Sequence, residues 1–179
     1  MIVKTIFSGF GGQGVLLMGY SLAHGAMNQG SHVTFLPSYG AEMRGGTANC
    51  TVCVGDEDIA SPIASEPDHV VAMNMPSLYT FQNRLAAGGT VFLNASIISV
   101  RPTRTDVEVC AVPCTEMADE AGNPRGANVV MMGAFLAKTK MVDPGTYLAG
   151  LETIMGGKKK ALFESNRRAF EAGHRFVRA

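Results

Sequence analysis

The sequence has 179 residues, of which 46% are hydrophobic and 17% charged, and its formal net charge at pH 7 is zero. A chain of this length predicts a single globular domain over residues 1–179 that buries roughly 70% of its unfolded surface. No run approaches the roughly 18 apolar residues of a membrane span, and Lys4 interrupts the apolar segment at the start. These features predict a cytoplasmic protein with neither an export signal nor a membrane contact.

The charge is unevenly distributed, because residues 158–179 carry seven Lys and Arg against two Glu. Apolar residues repeat there at seven-residue intervals, which predicts a terminal helix that packs on the body of the protein or on another chain. No aromatic residues alternate with exposed basic ones, so a nucleic-acid partner is not predicted. The basic side chains are interpreted as a solvated face.

The first predicted element is a buried strand over residues 2–7, rich in β-branched side chains. The segment Gly9-Phe10-Gly11-Gly12-Gln13-Gly14 follows it, and apolar residues then recur at helical spacing up to Gly30. Strand, glycine turn and helix in that order direct free backbone N–H groups and the positive end of a helix dipole to one point. This pattern predicts an anion-binding turn, to which the Gln13 amide adds a side-chain donor.

The glycines at positions 9, 11 and 14 match the dinucleotide-binding fingerprint and follow a strand, as that fingerprint requires. The fingerprint also needs an acidic residue at the end of the second strand, where it binds a ribose hydroxyl. Leu36, Pro37 and Ser38 occupy that place, and Glu42 is the first acid beyond it. A stand-alone NAD- or nucleotide-binding oxidoreductase is therefore disfavoured. An anion site of another kind and a purely structural turn both stay open.

Strands and helices alternate along the rest of the chain, which predicts an α/β protein. The fold class is a three-layer α/β/α sandwich with a mainly parallel sheet. Further strands are predicted over residues 32–36 (ended by Pro37), 47–54, 69–73, 90–93 and 107–112. Further helices are predicted from Pro76, over 115–121, over 128–137, from Pro144 and over the C-terminal residues.

Four cysteines need an interpretation. Cys50 and Cys53 have the spacing of a metal half-site, but they lie in a predicted strand, where residues three apart point to opposite faces. Cys110 also lies in a predicted strand, and Cys114 follows it closely. All four are interpreted as small buried hydrophobic residues, and no metal site is predicted.

Two pairs of polar residues are candidates for ligand contact. Glu42 and Arg44 lie in a glycine-rich loop, where they form either a local ion pair or a ligand contact. Arg125 and Asn128 flank the start of the buried helix: Asn128 either caps it or faces a ligand, and Arg125 has the geometry to clamp a phosphate. The four histidines are dispersed, so no catalytic constellation is predicted in this chain, which favours a subunit of a larger enzyme.

Three blocks of the sequence resemble the gamma subunit of 2-oxoacid:ferredoxin oxidoreductases. They are residues 9–15 (GFGGQGV), residues 37–50 (PSYGAEMRGGTANC), and Asn128 with Gly133-Ala134. The resemblance covers about residues 1–150, and its second block is much more specific than a bare glycine fingerprint. It implies the fold of the gamma domain of pyruvate:ferredoxin oxidoreductase.

The resemblance also implies an activity and partners. Enzymes of this family oxidatively decarboxylate a 2-oxoacid on thiamine diphosphate, transfer the acyl group to coenzyme A, and pass electrons through [4Fe–4S] clusters to ferredoxin. The implied partners are the alpha, beta and ferredoxin-like subunits of one complex, and they hold thiamine diphosphate and the clusters. The sequence is consistent with this assignment of the cofactors to partners, since it has neither the thiamine diphosphate motif nor a cluster cysteine series.

Carried onto this sequence, the resemblance implies two sets of site residues. Contacts with coenzyme A are assigned to Gly11, Gly12, Gln13 and Gly14, with Arg125 and Asn128 as a second set. Contacts with a partner subunit are assigned to Tyr39, Glu42 and Arg44. The second block is closer to the 2-oxoglutarate or branched-chain 2-oxoacid branch than to the pyruvate branch, and indolepyruvate enzymes have a similar part. The other hypotheses are the stand-alone NAD-binding oxidoreductase and a structural scaffold without a ligand.

Overall fold

A computed structural model describes residues 1–39, 47–156 and 160–178 of the chain. In these ranges the strands are β1 (Ile2–Phe10), β2 (His32–Tyr39), β3 (Thr47–Gly55), β4 (His69–Ala72), β5 (Thr90–Asn94) and β6 (Glu108–Val112). The α-helices are α1 (Val15–Asn28), α2 (Met75–Phe81), α3 (Cys114–Glu120), α4 (Ala127–Thr139), α5 (Pro144–Ile154) and α6 (Lys160–Arg178), and a 3-10 turn (Gln82–Arg84) extends α2.

The strands form one sheet in the order β2-β3-β1-β4-β5-β6. β1, β4, β5 and β6 pair in parallel, whereas β3 runs antiparallel to both of its neighbours. Only β3 therefore opposes the common strand direction, and the prediction of an α/β fold with a mainly parallel sheet is confirmed. The expected alternation of strands and helices fails between β3 and β4 and between β5 and β6, because no helix is described in either connection.

Two apolar cores lie on opposite faces of the sheet, because successive residues of a strand point to opposite sides. Phe7, Val71 and Phe92 face a core that includes residues of α1, α4, α5 and α6. Ile6 and Val70 on the same strands face a smaller core with α2. The sheet is thus covered on both sides, which confirms the three layers and explains why successive residues of β1, β4 and β5 are buried on both faces.

The prediction that Pro37 ends the second strand was wrong. β2 continues to Tyr39, and Pro37 stands opposite Cys50 in the register of β2 with β3. β2 lies at the end of the strand order and pairs on one side only. A proline has no N–H to donate and fits on the unpaired side of such an edge strand.

The C-terminal helix packs on the body of the protein. Phe170 of α6 is buried and stacks on Tyr147 of α5, with ring centroids 5.0 Å apart. α6 also crosses α4 at close range: a Cβ built on Gly133 would lie 2.8 Å from the His174 nitrogen, and one on Gly173 would lie 2.8 Å from the Val130 carbonyl carbon. The two glycines therefore allow backbone to approach backbone. None of the helices in the described ranges is long and apolar enough to cross a bilayer.

Candidate functional site

The order of the strands indicates a candidate ligand site at the carboxyl ends of β1 and β4. From β1 the chain passes through α1 to β2 on one side, and from β4 it passes through α2 to β5 on the other. β1 and β4 are parallel neighbours, so the connections diverge between their carboxyl ends. In open α/β sheets, ligands bind in the crevice at such a topological switch point.

A cavity of about 460 Å³ opens at this place, and we call it the switch-point cleft. It brings Gly12 and Gln13, which follow β1, next to Arg125 and Asn128 at the start of α4. These four predicted site residues come from distant parts of the chain. Among the described residues, the lining consists of Gly12, Gln13, Met73, Asn94, Ile97, Thr115, Pro124, Arg125, Ala127 and Asn128.

The glycine turn adopts the backbone conformation that its sequence predicts. Gly12 has φ 100° and Gly14 has φ 74°, values that favour glycine over any residue with a Cβ. A Cβ on Gly12 would meet no heavy atom within 4 Å, so this residue borders open space, whereas one on Gly14 would lie 2.9 Å from Asn128 Cγ. Gly12 thus lines the cleft, Gly14 lies beneath Asn128, and Gly11 lies in the turn outside the lining.

The Gln13 side chain joins the turn to the end of β4. Its Oε1 accepts hydrogen bonds from the Phe10 N–H at 2.7 Å and from Asn74 Nδ2 at 3.1 Å. Its Nε2 donates to the carbonyl oxygen of Met73 at 3.0 Å. Nε2 carries two hydrogens, and among the described residues only one of them has an acceptor. The other remains available to a ligand. Through these hydrogen bonds, Gln13 holds the wall of the cleft in place. Its role as a donor to a ligand stays a prediction.

Asn128 does not cap α4, so the capping alternative was wrong. Gly126 holds the N-cap position without a side-chain cap, and Asn128 is the second residue of the helix. Asn128 is 8% exposed and lines the cleft, and its amide makes no hydrogen bond within the described residues. A buried amide without a protein partner is suited to bind a polar ligand.

Two helices begin at the cleft without a side-chain cap. They are α1, whose N-cap is Gly14, and α4, whose N-cap is Gly126. The first backbone N–H groups of a helix have no partner within the helix, and they carry the positive end of its dipole. Two uncapped ends at one cavity therefore favour a negatively charged ligand.

The charge of the cleft lining, like the two helix ends, favours an anionic ligand. Arg125 is exposed, and within the described residues its guanidinium makes no ion pair or side-chain hydrogen bond. Within the described ranges, the lining contains neither Asp nor Glu to neutralise it, and neither His nor Cys to act as a base or nucleophile. This arrangement is suited to bind an anion, and its described residues offer no acid, histidine or cysteine for proton transfer or covalent catalysis.

Sequence reasoning missed part of the lining, above all Asn94 and Thr115. Asn94 is the last residue of β5 and is 2% exposed, and Thr115 lies in the first turn of α3. The missed signal was a polar residue directly after a buried strand, because the carboxyl ends of parallel strands meet at one edge of the sheet. The predicted fifth strand ended one residue earlier, so Asn94 went unnoticed.

The predicted partner contacts are largely outside the described residues. Glu42 and Arg44 belong to the undescribed range 40–46, and Tyr39 is the last residue of β2, paired with Ala48 of β3. Their assignment to an interface stays a prediction.

The cysteines lie away from the cleft lining and are not poised as thiolates. Cys50 and Cys53 are both buried, and Cys50 Sγ donates to the carbonyl oxygen of Val15 at 3.4 Å. Burial raises the pKa of Cys50 to about 12, and it also raises the pKa of Cys110 and Cys114. Across residues 1–39, 47–156 and 160–178, no group of three His, Cys, Asp or Glu could hold a metal ion.

Comparison with protein families gives one match over nearly the whole chain. The model of the family described as pyruvate ferredoxin/flavodoxin oxidoreductase matches residues 4–176. The ketoisovalerate oxidoreductase subunit VorA of Methanothermobacter thermautotrophicus is 37% identical over 177 residues, which are 98% of this chain and 36% of VorA. The chain thus spans about a third of the length of this relative.

A second relative has nearly the same length as the chain. The 2-oxoglutarate synthase subunit KorC of Methanothermobacter marburgensis is 34% identical over 177 residues, covering 95% of this chain and 94% of KorC. Among solved structures, the gamma subunit of keto/oxoacid ferredoxin oxidoreductase from Geobacter sulfurreducens has a TM-score of 0.83 and 25% identity, and covers 98% of each chain.

The same fold occurs inside a longer chain. The 2-oxoglutarate:ferredoxin oxidoreductase from Magnetococcus marinus, solved with 2-oxoglutarate, coenzyme A and succinyl-CoA bound, superimposes with a TM-score of 0.87. It is 20% identical and covers 99% of this chain but 31% of its own. At that identity the likeness concerns the fold alone.

Proposed function

The chain belongs to the pyruvate ferredoxin/flavodoxin oxidoreductase family, and we propose that it is the gamma subunit, or gamma part, of a 2-oxoacid:ferredoxin oxidoreductase. The complete enzyme converts a 2-oxoacid, coenzyme A and two oxidised ferredoxins to acyl-CoA, CO₂, a proton and two reduced ferredoxins. The whole chain acts in this assembly as one domain, and it is inactive alone.

The observation that carries the proposal is the electropositive switch-point cleft without a catalytic side chain. The uncapped starts of α1 and α4 provide positive potential, as does Arg125, which has no ion pair among the residues the structure describes. The described part of the lining offers amides at Gln13, Asn94 and Asn128 but no Asp, Glu, His or Cys. Such a cleft suits the binding of an anionic co-substrate whose chemistry takes place on a neighbouring subunit.

The lining fits coenzyme A in particular. The phosphates of coenzyme A suit the helix ends and the Arg125 guanidinium, which binds phosphate in bidentate fashion. The uncharged pantetheine arm suits the apolar side of the same cavity, formed by Met73, Ile97 and Pro124. A fold-mate from Magnetococcus marinus holds coenzyme A in its solved structure, which is consistent with this assignment.

The reactive cofactors are assigned to partner chains. Alpha and beta subunits and a ferredoxin-like subunit hold thiamine diphosphate and the [4Fe–4S] clusters, which supply decarboxylation and single-electron transfer. Burial raises the pKa of Cys50, Cys110 and Cys114, which agrees with this division, because a cluster needs several thiolates together. The segment with Tyr39, Glu42 and Arg44 is proposed to contact the catalytic partner.

The substrate is proposed to be 2-oxoglutarate or a branched-chain 2-oxoacid. The relatives named for ketoisovalerate and 2-oxoglutarate share 37% and 34% identity with the chain, against 28% for the pyruvate synthase subunit PorC of Thermotoga maritima. A stand-alone NAD-binding enzyme has no support. In this sheet β3 lies between β1 and β2, so the strand that would carry the ribose-binding acid is not next to the glycine turn.

Reconstitution tests the proposal. The chain is purified from its native cell with its companions, and 2-oxoacid-dependent ferredoxin reduction is measured with and without coenzyme A and with and without this subunit. We expect activity only when the chain, its companions and coenzyme A are all present. Full activity of the isolated chain, or of the companions without it, would overturn the assignment.

A further inference from the structure

The loop that carries Arg125 into the cleft is held from both ends by backbone hydrogen bonds. In residues 121–126, the Asn123 N–H donates to the Ala118 carbonyl oxygen at 2.8 Å, and the Asn123 carbonyl oxygen accepts from the Gly126 N–H at 2.7 Å. Gly126 is the N-cap of α4, and its carbonyl oxygen accepts from the N–H of Val129 and of Val130. The position of Asn123 therefore sets both the loop at Arg125 and the start of α4.

The side chain of Asn123 is fixed by α6. Its Nδ2 donates to Asn166 Oδ1 at 2.7 Å, and Asn123 is 6% exposed. It also packs tightly against the N-cap, since a Cβ on Gly126 would lie 2.7 Å from Asn123 Cγ. Arg168 adds a second connection from α6, with its Nε donating to the Ala121 carbonyl oxygen at 3.2 Å. α6 thus contacts the loop at two residues, Asn123 and Ala121.

α6 is a rigid reference for this loop. Its crossing with α4 at Gly133 and Gly173 leaves no room for a shift, and Phe170 anchors it in the main core. Asn166 is also held from the other side, because its Nδ2 donates to the Met155 sulfur at 3.3 Å. A side chain fixed in this way holds the loop of the cleft at a constant position relative to the core.

We propose that Asn166 is a positioning residue for the anion site, acting through Asn123 on Arg125 and on the start of α4. The inference rests on the proposed binding of coenzyme A at the switch-point cleft. Asn166 is not in the lining, so its effect passes through the loop alone. Losing its acceptor leaves a buried amide of Asn123 unpaired and lets the loop move, which weakens ligand binding without touching the 2-oxoacid chemistry.

The experiment measures steady-state kinetics of the assembled complex with four α6 variants. Asn166→Ala removes the acceptor, and Asn166→Asp keeps an oxygen acceptor for Asn123 while losing the donor to Met155. Ser165→Ala is the matched control on the neighbouring residue, because the Ser165 hydroxyl donates only to the Leu162 carbonyl oxygen of its own helix among the described residues. Arg168→Ala removes the second, exposed contact and serves in place of Asn166→Ala if that chain does not fold.

We expect Asn166→Ala to raise KM for coenzyme A about three- to tenfold, the effect of one lost hydrogen bond, while KM for the 2-oxoacid and kcat stay near wild type. We expect the Asn166→Asp and Ser165→Ala complexes both to have the wild-type KM for coenzyme A. Arg168→Ala raises the same constant by a smaller factor. An unchanged coenzyme A dependence of Asn166→Ala, or an equal effect on both substrates, overturns the positioning role.

A parallel Arg125→Ala complex separates this inference from the proposed function. If coenzyme A binds elsewhere, Arg125→Ala and Asn166→Ala both leave KM for coenzyme A unchanged, and the proposed function of the cleft fails. If Arg125→Ala raises that constant and Asn166→Ala does not, the cleft binds coenzyme A and only the positioning role fails.

Discussion

Gln13 donates a hydrogen bond from its Nε2 to the carbonyl oxygen of Met73, 3.0 Å away, and so connects the turn after β1 to the end of β4. The bond spans the topological switch point of the sheet, where the candidate site lies. The residue chosen from sequence as a ligand donor is therefore also the residue that holds the two walls of the cleft in register.

Replacement of Gln13 by Ala is expected to affect both stability and ligand binding. The variant loses three hydrogen bonds, so the free energy of unfolding should fall by about 1–3 kcal/mol. KM of the complex for coenzyme A should rise more than KM for the 2-oxoacid, because the turn at Gly12 loses its fixed position. Urea denaturation of the chain and kinetics of the complex measure the two effects.

Two further variants serve as comparisons for Gln13→Ala. Gln82→Ala removes a similar buried amide, which accepts from the Thr103 N–H at 2.9 Å away from the cleft lining. It should lower stability without changing the coenzyme A dependence. Gln13→Glu keeps the acceptor oxygen but adds negative charge at the cleft, so it should raise KM for coenzyme A more than Gln13→Ala does. A Gln13→Ala complex with normal coenzyme A dependence would contradict the role of this residue.

Arg125→Ala should raise KM for coenzyme A by about 10- to 100-fold, the loss of a charge-assisted hydrogen bond to phosphate. Arg125→Lys should recover part of this loss, since an ammonium group keeps the charge but not the bidentate geometry. Arg175→Ala on α6 is the control: its side chain is 72% exposed, lies 3.9 Å from Glu171 and is not in the lining. Equal effects of the Arg125 and Arg175 variants would indicate a general charge effect instead.

Gly133→Ala should destabilise the chain by about 3 kcal/mol, because the added methyl group meets the backbone of α6 and neither helix can move away. Gly145→Ala in the first turn of α5 is the control. Its Cβ would approach only the Asp143 Oδ2 atom, at 3.1 Å, so the change in stability should stay within about 0.5 kcal/mol. Thermal and urea unfolding measure both variants, and a Gly133→Ala chain as stable as wild type would refute the close crossing.

His69→Phe should reduce the loss of stability on acidification. His69 lies edge-on to Phe92 and Phe135, and its Nδ1 is buried without a hydrogen bond in the described residues. Burial lowers the pKa of His69, an effect that the nearby Asp68 carboxylate opposes. The unfolded chain then binds more protons than the folded one as pH falls through roughly 6.5, so stability decreases there.

Urea unfolding at pH 7.5 and pH 5.5 checks this sign. The wild-type chain should lose more stability between the two values than His69→Phe does. Carboxylates whose pKa is lowered, such as Glu108 beside Lys138, titrate at lower pH and contribute alike to both chains. The same pH dependence in both chains would show that His69 is not the responsible group.

The local elements of the fold were predictable from the sequence, because their causes are local. Apolar alternation and β-branched residues specify β1, and Pro at the first turn with Asn74 or Asp143 as N-cap specifies the starts of α2 and α5. The positive φ angles of Gly12 and Gly14 likewise follow from the glycine turn itself. Pro37 misled the prediction, because whether a strand tolerates proline depends on its place at the sheet edge.

The candidate site was predictable only in part. The glycine turn and Arg125 could be chosen because each carries its own chemical signal, an open backbone or a guanidinium next to a helix start. Asn94 and Thr115 carry no such signal until β5 and α3 are placed beside β1. The alternative roles of Asn128 could not be separated, since they depend on where α4 begins: with Gly126 as N-cap, Asn128 lies two residues later and lines the cavity.

By itself, the sequence determined the strands and helices, the glycine turn at Gly12, and the family to which its motifs belong. The tertiary structure alone decided that β3 separates β1 from β2, that Gln13 bonds to Met73, and that Arg125 and Asn128 reach the same cleft. The physical reason is that dihedral preferences and periodicity act between neighbouring residues. Strand order and the meeting of distant loops depend instead on which buried surfaces pack together across the whole chain.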